Sequence, residues 1–190
     1  GVSFGGNEGV GGLRGYKGSV YEGGLRVPCI IQWPAEIKSG QISTYPASTM
    51  DIFPTIASIL NIPQSDFIQP IDGKSIEHQF NDNSGKAKKN PIPFKYRNEG
   101  ALIDNDYKLV VENIKKKVYA MYNLKSDRTE SVDILAKNPV KAKEMISYYE
   151  KWLLSVDGSV KGEDYAGGLI EKDPEPKSWW LKPEYAPYLH

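Results

Sequence analysis

Ten of the chain's 18 glycines fall among its first 24 residues, so the backbone there must run as loop and turn before any regular element begins. Within that stretch, Leu13-Arg14-Gly15-Tyr16-Lys17-Gly18-Ser19-Val20-Tyr21-Glu22-Gly23-Gly24-Leu25-Arg26-Val27-Pro28 sets a lysine between two glycines. Glycine lets a backbone approach a ligand closely, and the Lys17 ammonium is a point charge for an anion. Spacing alone leaves Lys17 between that role and an ordinary solvated loop lysine. Glu22 and Arg26, four apart around a Gly-Gly pair, predict a salt bridge that ties the turn to the segment behind it.

That segment, Val27-Pro28-Cys29-Ile30-Ile31-Gln32-Trp33-Pro34, is a short apolar run bounded by turn formers, which predicts a strand covered on both faces with Cys29 in its core. Asp51 to Leu60 predicts a helix with Asp51 as its cap, Pro54 in the first turn, and Phe53, Ile56 and Leu60 on one face. Residues 61–98, rich in Pro, Asn, Asp and Lys, read as connection, and His78 within them has no assigned role. Beyond, Ala101-Leu102-Ile103, Tyr107-Lys108-Leu109-Val110-Val111 and Val118-Tyr119-Ala120-Met121-Tyr122 alternate with turn formers and predict an antiparallel meander, the Lys115-Lys116-Lys117 run being a solvated hairpin loop. Asn138-Pro139 then opens a helix whose apolar residues Ala142, Met145, Ile146, Tyr149, Trp152 and Leu153 recur at helical spacing. The acidic tail from Asp157 carries Trp179, Trp180, Tyr185 and Tyr188 and reads as an aromatic-anchored strap.

Charge and composition narrow the chemistry. With 24 Lys+Arg against 24 Asp+Glu, the chain has no surplus charge for phosphate neutralisation, which argues against nucleic acid as a partner. No apolar run reaches the length of a membrane span, so no membrane partner is expected. A single cysteine cannot make an intramolecular disulfide or a Cys-based zinc site, and only His78 and His190 could supply imidazole. Any metal would have to be held by oxygen or imidazole.

The run from Gly15 to Pro28, with Ile30-Ile31-Gln32-Trp33-Pro34 behind it, resembles the second signature region of the formylglycine-dependent sulfatases, the arylsulfatase family. The resemblance continues through Ser48-Thr49-Met50-Asp51-Ile52-Phe53-Pro54-Thr55, Asp72-Gly73-Lys74-Ser75, Tyr107-Lys108-Leu109-Val110 and Met121-Tyr122-Asn123-Leu124, over roughly residues 1 to 153. A string of motifs in order is far more specific than one glycine-rich loop. It implies the α/β alkaline-phosphatase-like sulfatase fold, with this chain as the carboxy-terminal portion. Residues 1–63 would end the catalytic domain and its large mixed sheet, 64–98 connect, 99–156 form a small subdomain of antiparallel sheet plus helix, and 157–190 form the tail.

The same resemblance implies a hydrolase of sulfate esters working through a formylglycine nucleophile and a divalent metal. Lys17, matching the family's loop lysine, would be catalytic and would contact the sulfate and bridging oxygen. Glu22 and Arg26 would give structural support, and Glu112, Asn113 and Lys115, on the hairpin loop, would touch the organic part of the substrate. Cys29 lacks the proline and arginine of the Cys/Ser-x-Pro-x-Arg modification motif, so the nucleophile is expected outside this chain. Calcium or magnesium is expected in the full-length enzyme, held by ligands upstream, with no metal bound by this chain alone. The implied partners are a sulfated small molecule or glycan and the rest of the sulfatase chain, and the implied compartment is the periplasm or the exterior. Two other readings stay open: a non-catalytic folding or binding module, and a phosphate-ester hydrolase of the same superfamily, whose members do not share the Gly-x-Lys-Gly…Glu-Gly-Gly-x-Arg-x-Pro run.

Overall fold

The structure is a computed structural model that describes residues 7–67, 69–81, 87–164 and 183. The chain clusters into two compact units, Gly1–Leu154 and Ser155–His190. The first is organised around a four-stranded antiparallel meander of β1 (Ile92–Tyr96), β2 (Glu99–Asp104), β3 (Tyr107–Asn113) and β4 (Val118–Asn123), in the order β1-β2-β3-β4. Its hairpin turns follow from sequence: Arg97, Asn105 and Lys117 each take a left-handed φ of 53° to 55° at a strand junction. β2, β3 and β4 occupy the three predicted runs. β1 is an addition, since residues read as connection pair through Ile92↔Ile103 and Phe94↔Ala101. Pro93, which cannot donate to a ladder, is tolerated because β1 is an edge strand.

Both faces of this sheet are covered, which explains why β2 and β3 carry continuous apolar runs in place of strict alternation. On one face Leu102, Leu109, Val111 and Met121 pack against Ala142, Met145 and Tyr149 of helix α3 (Pro139–Val160). Pro139 opens α3, where its missing N–H costs nothing, as its sequence position predicts. On the other face Ala101, Val110, Ala120 and Tyr122 pack against Val20, with Tyr21, Leu25 and Phe94 at the margin. The glycine-rich segment is therefore the second cover of the sheet.

Two short helices precede the sheet in the chain, α1 (Glu22–Leu25) within the glycine-rich segment and α2 (Ile52–Ile59). Asp51 does not cap α2 with its side chain; it closes a capping box with Ser48 on the preceding 3-10 turn Thr49–Asp51. The same carboxylate, buried, accepts from Lys74 N and Lys88 Nζ, each at 2.9 Å. Phe53, Ile56 and Leu60 share a face, but that face is exposed, and Thr55 and Ala57 are the buried residues of α2. The expected strand at Val27–Pro34 is likewise not formed. Among the described residues no other strand pairs with it, Ile30 is 92% exposed, and Cys29 is an exposed thiol in place of a core residue. An extended apolar run needs neighbours on both edges to satisfy its N–H and C=O groups, and the meander is complete without it. In the second unit, α3 ends at Val160 and the chain turns through Glu163 N donating to Gly158 O at 3.1 Å. The tail aromatics Trp179, Trp180, Tyr185 and Tyr188 lie outside the described residues.

Candidate functional site

Lys17 occupies the second position of a turn closed by Ser19 N donating to Tyr16 O at 2.9 Å. Gly18, the third position, has φ +88° while Lys17 has ordinary backbone, the arrangement of a type II turn, which requires glycine there. Gly15 also has positive φ, +78°, and Gly23 N donates to Arg14 O at 2.7 Å, so the loop from Arg14 to Leu25 folds back on its own start. A Cβ at Gly23 would collide with the Gly15 carbonyl oxygen, and one at Gly24 with the Ser19 carbonyl oxygen. The Gly-Gly pair is thus demanded by a close backbone crossing and not by looseness. Lys17 itself is exposed, and among the described residues its ammonium has no hydrogen bond or ion pair.

The base of the loop is fixed to the sheet by buried charge. Lys108 on β3 is fully buried; its Nζ donates to Glu22 Oε1 at 2.9 Å and stands 2.9 Å from Glu130 Oε1 without hydrogen-bond alignment. Glu22 N donates to Glu130 Oε2 at 2.6 Å, and Arg26 reaches Glu22 Oε2 at 3.2 Å. The expected Glu22–Arg26 pair is present, but Arg26 is half exposed and the buried partner of Glu22 is Lys108. Burial pushes the Glu130 carboxyl up from its ordinary value, with the Lys108 ammonium pulling the other way.

Arg14 clamps the opposite end of the loop. Its guanidinium donates to Glu130 O at 2.8 Å and to Tyr122 Oη at 3.1 Å, and lies 3.9 Å from the centre of the Tyr21 ring. Tyr21 Oη donates in turn to Glu112 Oε1 at 2.9 Å, and burial together with that bond pushes the phenol well above its usual range. Of the residues expected to touch substrate, Glu112 therefore joins the loop through Tyr21. Asn113 is occupied locally, its Oδ1 accepting from Lys116 N at 2.8 Å, whereas Lys115 is bonded through its backbone, its N donating to Asn98 Oδ1 at 3.2 Å. The β1–β2 turn also comes close, with Tyr96 Oη 3.7 Å from where a Cβ on Gly18 would stand.

Sequence reasoning did not single out Arg14, Tyr21, Lys108, Glu130 or Tyr96. A lysine set between Tyr107 and the apolar run Leu109-Val110-Val111 is a signal that an acidic partner is buried with it, since a charge is not buried unpaired. Glu130 carries no such signal, because its position is set by a turn after β4. The carboxylates here do not fit a divalent-cation site: Glu22 and Glu130 face one ammonium and a backbone N–H. Among the described residues no three His, Cys, Asp or Glu side chains are grouped as metal ligands.

Residues 15–156 match the family described as N-sulphoglucosamine sulphohydrolase, C-terminal. A sulfatase of Formosa agariphila is 31% identical over 142 residues, covering 67% of this chain and 26% of that protein. The steryl-sulfatase of Mus musculus is 48% identical over 59 residues, covering 31% of this chain and 9% of the relative. Among solved structures, Ps i-CgsB superposes with a TM-score of 0.62 at 26% identity, over 74% of this chain and 31% of that one; it has also been solved with k-i-k-neocarrahexaose. The chain thus spans a third or less of the length of each of these proteins. Its sheet-plus-helix unit is the small subdomain of the alkaline-phosphatase-like fold those neighbours share, and the chain belongs to the sulfatase family, matching its carboxy-terminal region.

Proposed function

We propose that the chain is the carboxy-terminal portion of an enzyme that hydrolyses sulfate esters, to which it contributes Lys17 as the group that contacts the sulfate. The observation that carries this is an exposed ammonium, unpaired among the described residues, at the tip of a loop whose base is locked by buried ion pairs. A cation held out by a rigid scaffold is aimed before substrate arrives, and it stabilises the negative charge that grows on the bridging oxygen as the ester bond breaks. In this reading the formylglycine nucleophile and the calcium or magnesium ion come from other segments of the parent protein; the carboxylates at the base of the loop, Glu22 and Glu130, are paired with Lys108, and Asp51 is paired with Lys88. Sulfated glycans are the favoured substrate class, supported by the oligosaccharide complex of Ps i-CgsB. An exported or periplasmic compartment is carried over from the family alone.

The test is Lys17→Ala in the full-length enzyme, assayed on a chromogenic aryl sulfate. Loss of one such donor lowers turnover by on the order of a hundredfold or more. Lys17 is exposed, so the melting temperature should not move. Unaltered turnover overturns the assignment, as would calcium-dependent turnover by the 190-residue chain alone.

A further inference from the structure

Both ends of the Lys17 loop converge on Glu130. Arg14, at the start, donates to its carbonyl, and Glu22, at the end, donates its backbone N–H to its carboxylate, at 2.8 and 2.6 Å. Glu130 is fully buried and holds a left-handed φ of 53°, a conformation that non-glycine residues adopt at a cost and keep only where surroundings enforce it. The enforcement is visible: Glu130 N donates to Asp127 O at 3.4 Å, and Asp127 gathers Ser131 N, Val132 N and the Thr129 and Ser131 hydroxyls. Between its two anchor points the loop carries the type II turn, Val20 packed on the sheet and Tyr21 bonded to Glu112, so the height of Lys17 above the sheet depends in part on where Glu130 holds its ends.

We propose that Glu130 and Arg14 are positioning residues for Lys17, acting through the loop without touching substrate. This rests on the reading of Lys17 as the sulfate contact. The Lys108 ammonium, pinned on β3 beside Val110 and Leu109, fixes the carboxylates laterally, and Arg14 fixes the loop vertically by spanning Tyr21 and the Glu130 carbonyl. Glu130→Gln keeps the size of the side chain and an acceptor for Glu22 N but removes the charge opposite Lys108, leaving the Lys108–Glu22 pair to pull the loop toward β3.

The experiment is a double-mutant cycle in the full-length enzyme with an aryl sulfate: wild type, Lys17→Ala, Glu130→Gln and the double variant. Small displacements of a catalytic group are costly, so Glu130→Gln is expected to lower kcat by about ten- to a hundredfold, with KM little changed. In the Lys17→Ala background the same substitution should lower kcat by less than about twofold, since the group it positions is gone. A merely structural role lowers the active fraction equally in both backgrounds. Losses that multiply, or a Glu130→Gln enzyme with full kcat, overturn the proposal. An unaffected Lys17→Ala enzyme instead removes the reading on which it rests, and the proposal with it. Should Glu130→Gln not fold, Arg14→Ala, at an exposed residue, is expected to show the same pattern, and a multiplicative loss there is equally decisive.

Discussion

Two carboxylates and one ammonium, all at or near zero exposure, leave Lys108 as the only buried cation in a cluster that would otherwise carry like charges against each other. Removing one partner from such a group is more costly than never having built it, so Lys108→Met should destabilise the chain by about 3–5 kcal/mol. The pH dependence has a definite sign. Glu130 has a folded pKa raised above its ordinary value, so its contribution to stability is complete at low pH and is lost as pH rises through that folded value. Without Lys108 the raising becomes stronger, and the cost of Lys108→Met should shrink on acidification from pH 8 to pH 5, read as urea midpoints of both proteins. A cost that is the same at both pH values would mean that Glu130 is not the group relieved by protonation. At this scale the sequence was informative about Glu22 and Arg26, whose spacing announces a pair, and silent about Glu130, which meets them only because the chain returns after β4. Cys29 was misjudged for a related reason: a thiol in an apolar run is buried only if the run has something to pack against.

The sheet and α3 are joined by two tyrosines as well as by apolar packing. Tyr149 Oη on α3 donates to Phe94 O on β1 at 3.1 Å, and Tyr119 Oη on β4 donates to Glu150 on α3 at 3.0 Å. Burial, joined for Tyr119 by its bond to Glu150, pushes both phenols up to about 12. A raised phenol favours the folded state while protonated, and that contribution is lost as pH climbs from the ordinary value of about 10 toward about 12. The element pair should therefore loosen at alkaline pH, and Tyr119→Phe/Tyr149→Phe should flatten the fall of the urea midpoint between pH 9 and pH 11. An equally steep fall in the double variant would assign the alkaline loss to other groups. Strands β2 to β4 and α3 were legible because their local signals and long-range packing agree: period, turn residues and a first-turn proline all point the same way. β1 was not, since Pro93 and a charged neighbour make an edge strand look like connection. The face of α2 shows the converse case, a helical period that is correct and a burial that does not follow from it.

Across the first unit, order should track which residues have partners. The meander and α3 have both sheet faces filled, whereas residues 26–36 have no ladder and Val27, Ile30 and Ile31 face outward, as do Ile52, Phe53, Ile56 and Leu60. An apolar surface of this extent fits the proposal that the rest of a sulfatase chain covers it, because the relatives are three or more times longer than the part they share with this chain. Amide hydrogen exchange on the 190-residue chain alone distinguishes the two regions. Val110, Leu109 and Leu102 lie in the central strands β2 and β3 with no exposure, and their amides should open only with global unfolding; the amides of Ile30 and Ile31 should exchange within the dead time, lacking any backbone acceptor among the described residues. In the full-length enzyme the same Ile30 and Ile31 amides should become as slow as the meander, if they gain the sheet neighbours that their composition calls for. Fast exchange there in the complete protein would show that the apolar run is a surface segment in its own right, and would withdraw the large-sheet reading of residues 27–34. The loop of Lys17 is the informative intermediate. Gly23 N and Ser19 N are bonded within the loop, so they should be protected in the isolated chain to a degree set by the Glu22–Lys108–Glu130 cluster. Lys108→Met should strip that protection altogether while Leu109 and Leu102 speed up only by the loss of global stability, because the cluster fastens the loop to a sheet whose other face is packed on α3.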